Sequence, residues 1–195
     1  GLLAASELPP GRLYAIGRDR EDRRPCVFRI EVELVAGTGR ATLSGVRAKS
    51  ASDALLAAHD HVRNHLTELG IARAGTNRDL HVQILNPMEA DEPTGLGLGI
   101  FVAIVSALRE RAVPQAIALL GDISVQGSVL EPDAVGEMIL LAHENGAKRL
   151  FIPASRRDDV SALPRALVES LQFDYFQSPT ELIAQVLGDD TGGAE

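Results

Sequence analysis

"EADEPTGLGLGIFVAIVSAL", Glu89 to Leu108, joins three acidic residues and a Pro-Thr pair to alternating glycines and a long apolar run. Leu96, Ile100, Ala103 and Ala107 share one helical face. Val102, Ile104 and Leu108 spread apolar surface nearly all round, which predicts a helix to about Arg109, buried on most sides. A glycine-rich helix start raises the question of a phosphate cradle, which needs open backbone N–H groups and usually a nearby lysine. Glu89, Asp91 and Glu92 would repel an anion here, and no Gly-Lys-Ser/Thr follows. The spacing of Gly95, Gly97 and Gly99 is not the dinucleotide fingerprint either. These glycines read instead as places where another backbone comes close. Thr94 is placed to cap the helix or, if a base takes its proton, to act as a nucleophile.

Working outward, residues 26–47 alternate apolar and polar side chains in two runs around Gly37 and Gly39, which predicts a β-hairpin. "SASD", Ser50 to Asp53, reads as a capping box opening a helix that Gly70 ends. "LHVQIL" (80–85), "AIALLGDISV" (116–125), "RLFIPA" (149–154) and "FDYF" (173–176) read as strands. Helices are expected from Asp133 to Gly146 and near 163–171. A final helix has Ser178 as cap, Pro179 at its first position, Glu181 closing the box and Gly188 after its end. Strands come first as a hairpin and later alternate with helices, so the fold class is α+β (α/β), with a mixed sheet and flanking helices. The domain reading is a linker or extension at 1–25, one domain at 26–188 and a mobile tail at 189–195.

Composition narrows the function classes. The chain has 195 residues, 45% of them hydrophobic, enough for one sizeable core, and a net charge of −8. Nucleic-acid affinity comes mostly from cationic side chains on phosphates, so an acidic chain is a poor candidate for that work. The densest basic stretch, "GRDREDRRP" (17–25), is interrupted by Asp19, Glu21 and Asp22 and reads as a solvated connector. No apolar run is long enough to span a bilayer, and the first residues lack the form of a signal peptide. They also lack an initiator methionine, as expected of a piece of a longer protein. A single cysteine, Cys26, excludes an internal disulfide and fits a reducing cytoplasm. No metal site is expected: His61 and His65 are one turn apart, but no third ligand is evident, and they are placed on the polar side of their helix. His81 reads as a half-buried structural histidine. Lysine is rare, Lys49 and Lys148 being the only two, and neither is visibly placed to serve Thr94 as a base.

The order of these pieces resembles the proteolytic domain of Lon proteases. That family reads Asp-Gly-Pro-Ser-Ala-Gly at a helix start, with the serine as nucleophile, then a strand with Thr-Gly-Glu. Next comes Val-Leu-Pro-Val-Gly-Gly-Leu-Lys-Glu-Lys, whose first lysine is the base. "DEPTGL" (91–96), "LLGDISVQGSVL" (119–130) and "EPDAVGEMILLAHENGAKRLFIP" (131–153) stand in those places, and "DLHVQ" (79–83) matches the strand that leads in. The resemblance puts Thr94 at the nucleophile position and Gly136 at the position of the lost lysine. It puts Asp91, Glu92 and Asp122 on the rim. Glycine has no side chain to take a proton, so the resemblance implies an inactive or very weak peptidase. An active ATP-dependent endopeptidase, with Thr94 attacking and Lys148 as a relocated base, is the alternative. The strands at 28–45 and the ending from Gly146 resemble the C-terminal domain of Lon-like proteins of BREX phage-resistance systems. That subgroup implies an AAA+ module upstream, self-association into a hexameric ring and DNA contact only through other domains. It also implies ATP and Mg in the full-length protein and none in this domain, a cytoplasmic location and no membrane contact.

Overall fold

A computed structural model describes residues 1–3 and 7–188, without the side chains of residues 74 and 75; the tail expected at 189–195 lies outside the described residues. In chain order the elements are β1 (Arg12–Asp19), β2 (Pro25–Ala36), β3 (Ala41–Ser44), α1 (Lys49–Asn64), β4 (Arg78–Leu85), β5 (Pro93–Thr94) and α2 (Gly97–Arg109). There follow β6 (Ile117–Leu119), β7 (Asp122–Ile123), β8 (Val129–Leu130), α3 (Val135–Glu144), β9 (Arg149–Pro153), α4 (Arg157–Ser161), α5 (Arg165–Glu169), β10 (Gln172–Phe176) and α6 (Pro179–Leu187). The main mixed sheet runs β10-β9-β6-β1-β2-β4-β3, with β5 added on β1, and β7 pairs with β8 apart from it.

The segment expected as a linker holds a central strand. In β1, Leu13 and Ala15 pack into the core on the α1–α2 side, while Tyr14 and Ile16 join the cluster around α3. Both faces are covered, so "LYAI" is a continuous apolar run rather than an alternating one. The charges that follow it masked that signal.

The expected hairpin is also corrected. β2 pairs antiparallel with β1 on one side and with β4 on the other. β3 runs parallel to β4 at the sheet edge, so β4 separates the two strands read as partners. The crossing loop is held by the Asp79 carboxylate, which accepts N–H bonds from Thr38, Gly39 and Arg40 at 2.9, 3.1 and 2.9 Å.

α1 begins at Lys49 with Ala48 as an N-cap that makes no side-chain bond, so the capping box does not form. The Ser50 hydroxyl donates to the Pro93 carbonyl at 2.6 Å instead, tying α1 to β5. The helix ends at Asn64, and Gly70 closes the turn beyond it at φ 70°. The predicted strand 116–125 breaks at Gly121, whose φ is 122°, and its second part turns out of the sheet as β7. α6 keeps its expected start: Ser178 Oγ accepts from the Glu181 N–H at 3.1 Å.

α2 is the central helix, buried continuously from Gly97 to Ala107. A Cβ on Gly99 would meet Ile30 Cδ1 at 2.8 Å and the Ala15 Cβ at 2.9 Å, so this glycine lets α2 lie directly on β1 and β2. Phe101, Ile100 and Val102 are fully buried there, each worth about 1.5–3 kcal/mol by transfer from water. α1 and α6 flank α2 on that face, and α3 covers the other.

Candidate functional site

β5 places Thr94. It pairs antiparallel with the end of β1, Thr94 opposite Arg18 and Pro93 opposite Asp19. Gly17 permits this approach, because a Cβ there would collide with the Thr94 carbonyl. The Thr94 hydroxyl donates to the Arg18 carbonyl at 3.3 Å. It does not cap α2: Leu96 is the N-cap residue, with no side-chain cap bond.

The cap comes from a distant residue. The Asp122 carboxylate accepts N–H bonds from Ile123, at 2.8 Å, and from Gly97. Burial raises its pKa, and those two N–H groups partly offset the rise. A carboxylate at the positive end of α2 takes the place an anionic ligand would need. Gly97 is glycine because a Cβ there would collide with Asp122 Oδ1.

Thr94, Gly95, Gly121, Asp122, Glu137 and Met138 open on one cleft of about 600 Å³. Two arginines line it, Arg18 and Arg23, and Arg18 is the more tightly held. From β1 its guanidinium donates to the carbonyls of Arg23 (2.6 Å), Asp133 (3.0 Å) and Ala134 (2.8 Å), and pairs with Glu137 at 3.0 Å. A guanidinium does not accept a proton in proteins, so Arg18 is no substitute for a lysine base. Sequence reasoning missed Arg18 because it begins the charged stretch read as a connector.

The other expected residues scatter. A Cβ on Gly136 would meet Leu163 Cδ2 at 3.2 Å; the cleft-facing residues of this region are Ala134, Glu137 and Met138. Lys148, the proposed relocated base, is exposed before β9, its N–H donating to Ala116 at the start of β6. Gly121 of the cleft lies against Pro153, at the far end of β9. The length of that strand separates Lys148 from the cleft, about 16 Å at ~3.3 Å per residue, well beyond hydrogen-bond reach. Lys49 is 88% exposed and paired with Asp53 at 2.9 Å. Of the three rim carboxylates only Asp122 opens on the cleft. Asp91 lines a neighbouring hollow with Tyr14 and Arg29, and Glu92 is exposed outside both.

Asp91 and Glu92 do serve the site through their backbones. Their N–H groups donate to the buried Asp19 carboxylate at 3.0 and 3.2 Å, as does Glu21 at 3.1 Å. These bonds, led by Asp91, hold the Asp19 carboxyl below its ordinary 3.8 against the cost of burial. A depressed acid stabilises the fold above its unfolded pKa and loses that contribution as pH falls through the folded value. Asp19→Asn is therefore expected to lower stability at neutral pH and to flatten the stability profile below about pH 4. Urea unfolding from about pH 2 to 7 checks this, and an unchanged acid limb would refute it.

His61 is not on a polar face, whereas His65 is partly exposed. His61 is buried, stacked on His65 at 4.0 Å and edge-on to Phe101 at 5.4 Å. Burial, then the neighbouring His65, lowers its pKa. His81 is exposed on β4, since α3 on that side packs over β2 and β1. Cys26 is a buried free thiol. Among the described residues, no group of three or more His, Cys, Asp or Glu is arranged to hold a metal, and no helix is long and apolar enough to cross a membrane.

A hydroxyl residue before a buried helix, a broken strand that brings Asp122 beside it, and an α3 wall make up this cleft. Residues 25–189 match the Lon protease (S16) C-terminal proteolytic domain, and the chain belongs to that family. It is 23% identical over 188 residues to the Lon-like protease BrxL of Escherichia coli O9:H4 (strain HS), covering 96% of this chain and 27% of that protein. It is 30% identical over 143 residues to a Lon protease of Buchnera aphidicola subsp. Schizaphis graminum, 73% of this chain and 18% of that protein. Against Lon protease 1 of Sorangium cellulosum (strain So ce56) it is 29% identical over 162 residues, 83% of this chain and 20% of that protein. The chain thus spans about a quarter or less of the length of the relatives it matches.

Proposed function

We propose that this is the Lon-like domain of a longer AAA+ ATPase, that its peptidase chemistry is lost, and that it serves assembly of a ring acting in phage defence in the cytoplasm. One observation carries the loss of chemistry: the hydroxyl at the nucleophile position is bonded to the Arg18 carbonyl, and the cations lining its cleft, Arg18 and Arg23, are both guanidinium groups. A serine–lysine dyad works because a lysine relieved of its proton can take one from the hydroxyl. Neither lysine of this chain lies at the cleft, and position 136 carries no side chain. The similarity to BrxL over nearly the whole chain supports the defence role. ATP and Mg belong, on this reading, to the upstream module, and DNA contact to domains other than this one. No geometric observation favours the alternative of an active endopeptidase.

The test is the full-length protein with ATP and Mg on unfolded casein. Wild type and Thr94→Ala are expected to give the same background rate. Loss of a dyad base alone costs several orders of magnitude, on the order of 10⁴-fold by analogy with triad deletions. Turnover that Thr94→Ala abolishes would overturn the proposal.

A further inference from the structure

The chain carries a net charge of −8, yet one groove in it is lined by arginine. Two adjoining clefts between α1 and the β3 edge, of about 550 and 220 Å³, share His59 and Arg63; Arg40 opens on one and Arg78 on the other. All three arginines are exposed, and none forms a salt bridge among the described residues. Asp60 is the acid lining the groove, and the nearby Asp79 carboxylate, held by three N–H groups of the crossing loop, also faces Arg40, which helps to lower its pKa. Leu55 and Leu56 supply apolar surface, and Leu56 is 60% exposed.

The opposite charge sits at the other end of β4. Beyond Leu85, the side chains of Glu89, Asp91 and Glu92 are exposed, beside those of Glu21 and Asp22 from the β1–β2 turn, where the exposed Arg20 and Arg23 offset part of this charge without cancelling it. Asp19 draws the two loops together by accepting N–H bonds from Glu21, Asp91 and Glu92. Asp91, by its charge and by a side-chain hydrogen bond, then Asp19, burial and Glu92 raise the Glu21 pKa, which marks the crowding of carboxylates there. Arg24 is already paired with Asp22 and Asp19.

Seven strand steps, about 24 Å at ~3.4 Å each, separate Arg78 from Leu85. A single copy cannot bring its own groove and acidic loops together across that span. We infer that these two ends are the complementary halves of a head-to-tail contact, in which the arginine groove of one copy receives the acidic loops of the next. The contact rests on the assembly reading above and gives it a surface. Unlike patches meeting in this way form a heterologous interface, which makes a ring when its rotation closes. Charge pairing fixes the register and makes the contact salt-sensitive.

The experiment is sedimentation of the full-length protein over a range of concentration and salt, with circular dichroism confirming that each variant is folded. Arg63→Glu with Arg78→Glu, or Asp91→Arg with Glu92→Arg, is expected to weaken self-association about tenfold or more. All four changes in one chain swap the charges and are expected to restore it to within about threefold of wild type. Variants that assemble like wild type, or a four-fold variant no better than its parents, would overturn the contact and leave the assembly reading standing. A wild type that stays monomeric throughout would overturn both.

Discussion

Gly17→Ala is expected to destabilise the domain by about 3 kcal/mol, at the upper end of overpacking costs. The added methyl would meet the Thr94 carbonyl, with Leu96 Cδ2 at 3.0 Å and Phe28 Cε2 at 3.2 Å closing the other directions. The atom in the way is backbone and has no rotamer to change. β5 must lift from β1, which breaks the Arg18–Thr94 pairing and strains the link from Asp19 to the 91–92 loop. Alanine's lower backbone entropy in the unfolded chain returns only about 0.4–1 kcal/mol, so the collision wins. The melting temperature should fall by roughly 6–12 °C for a domain of this size. A melt within about 2 °C of wild type would show that β5 is not held by close approach to β1.

Arg18→Ala is expected to cost about 2–3 kcal/mol and to loosen the start of α3 selectively. Arg18 satisfies two carbonyls at that start, those of Asp133 and Ala134, and the latter residue is left-handed at φ 50°. Its Glu137 partner is 63% exposed, so the ion pair itself adds less than about 1 kcal/mol. The bonds to carbonyls dominate, and they need a planar fork of donors. Arg18→Lys should therefore restore less than half of the loss. Hydrogen exchange across residues 131–140 separates the outcomes. Faster exchange confined there in Arg18→Ala, and incompletely slowed in Arg18→Lys, is the expected result. Uniform protection in both variants would show that α3 is held by Val135, Met138 and Ile139 alone.

Much of the fold was legible because its signals are local. α2 follows from an apolar run wide enough to bury every face, and α6 from a cap, a proline and a closing glutamate within four residues. β4 and β9 read as strands from their own residues. Strand partners were not legible, since alternation in β2 and β3 says that each has two faces but not that β4 lies between them. β1 was lost because a short run buried on both faces has no period to detect.

The sequence by itself determined the family framework, the apolar helix that ends near Arg109, and the residues that the resemblance sets against the dyad, threonine at 94 and glycine at 136. Each of these rests on residue type and local spacing, which survive without coordinates. Only the tertiary structure decided which groups meet. Arg18 enters the Thr94 cleft from a strand 76 residues earlier, Asp122 caps a helix that precedes it, and Lys148 ends on the wrong end of its strand. Contacts between distant segments depend on register and on where glycine lets two backbones close, and neither quantity is written in local composition.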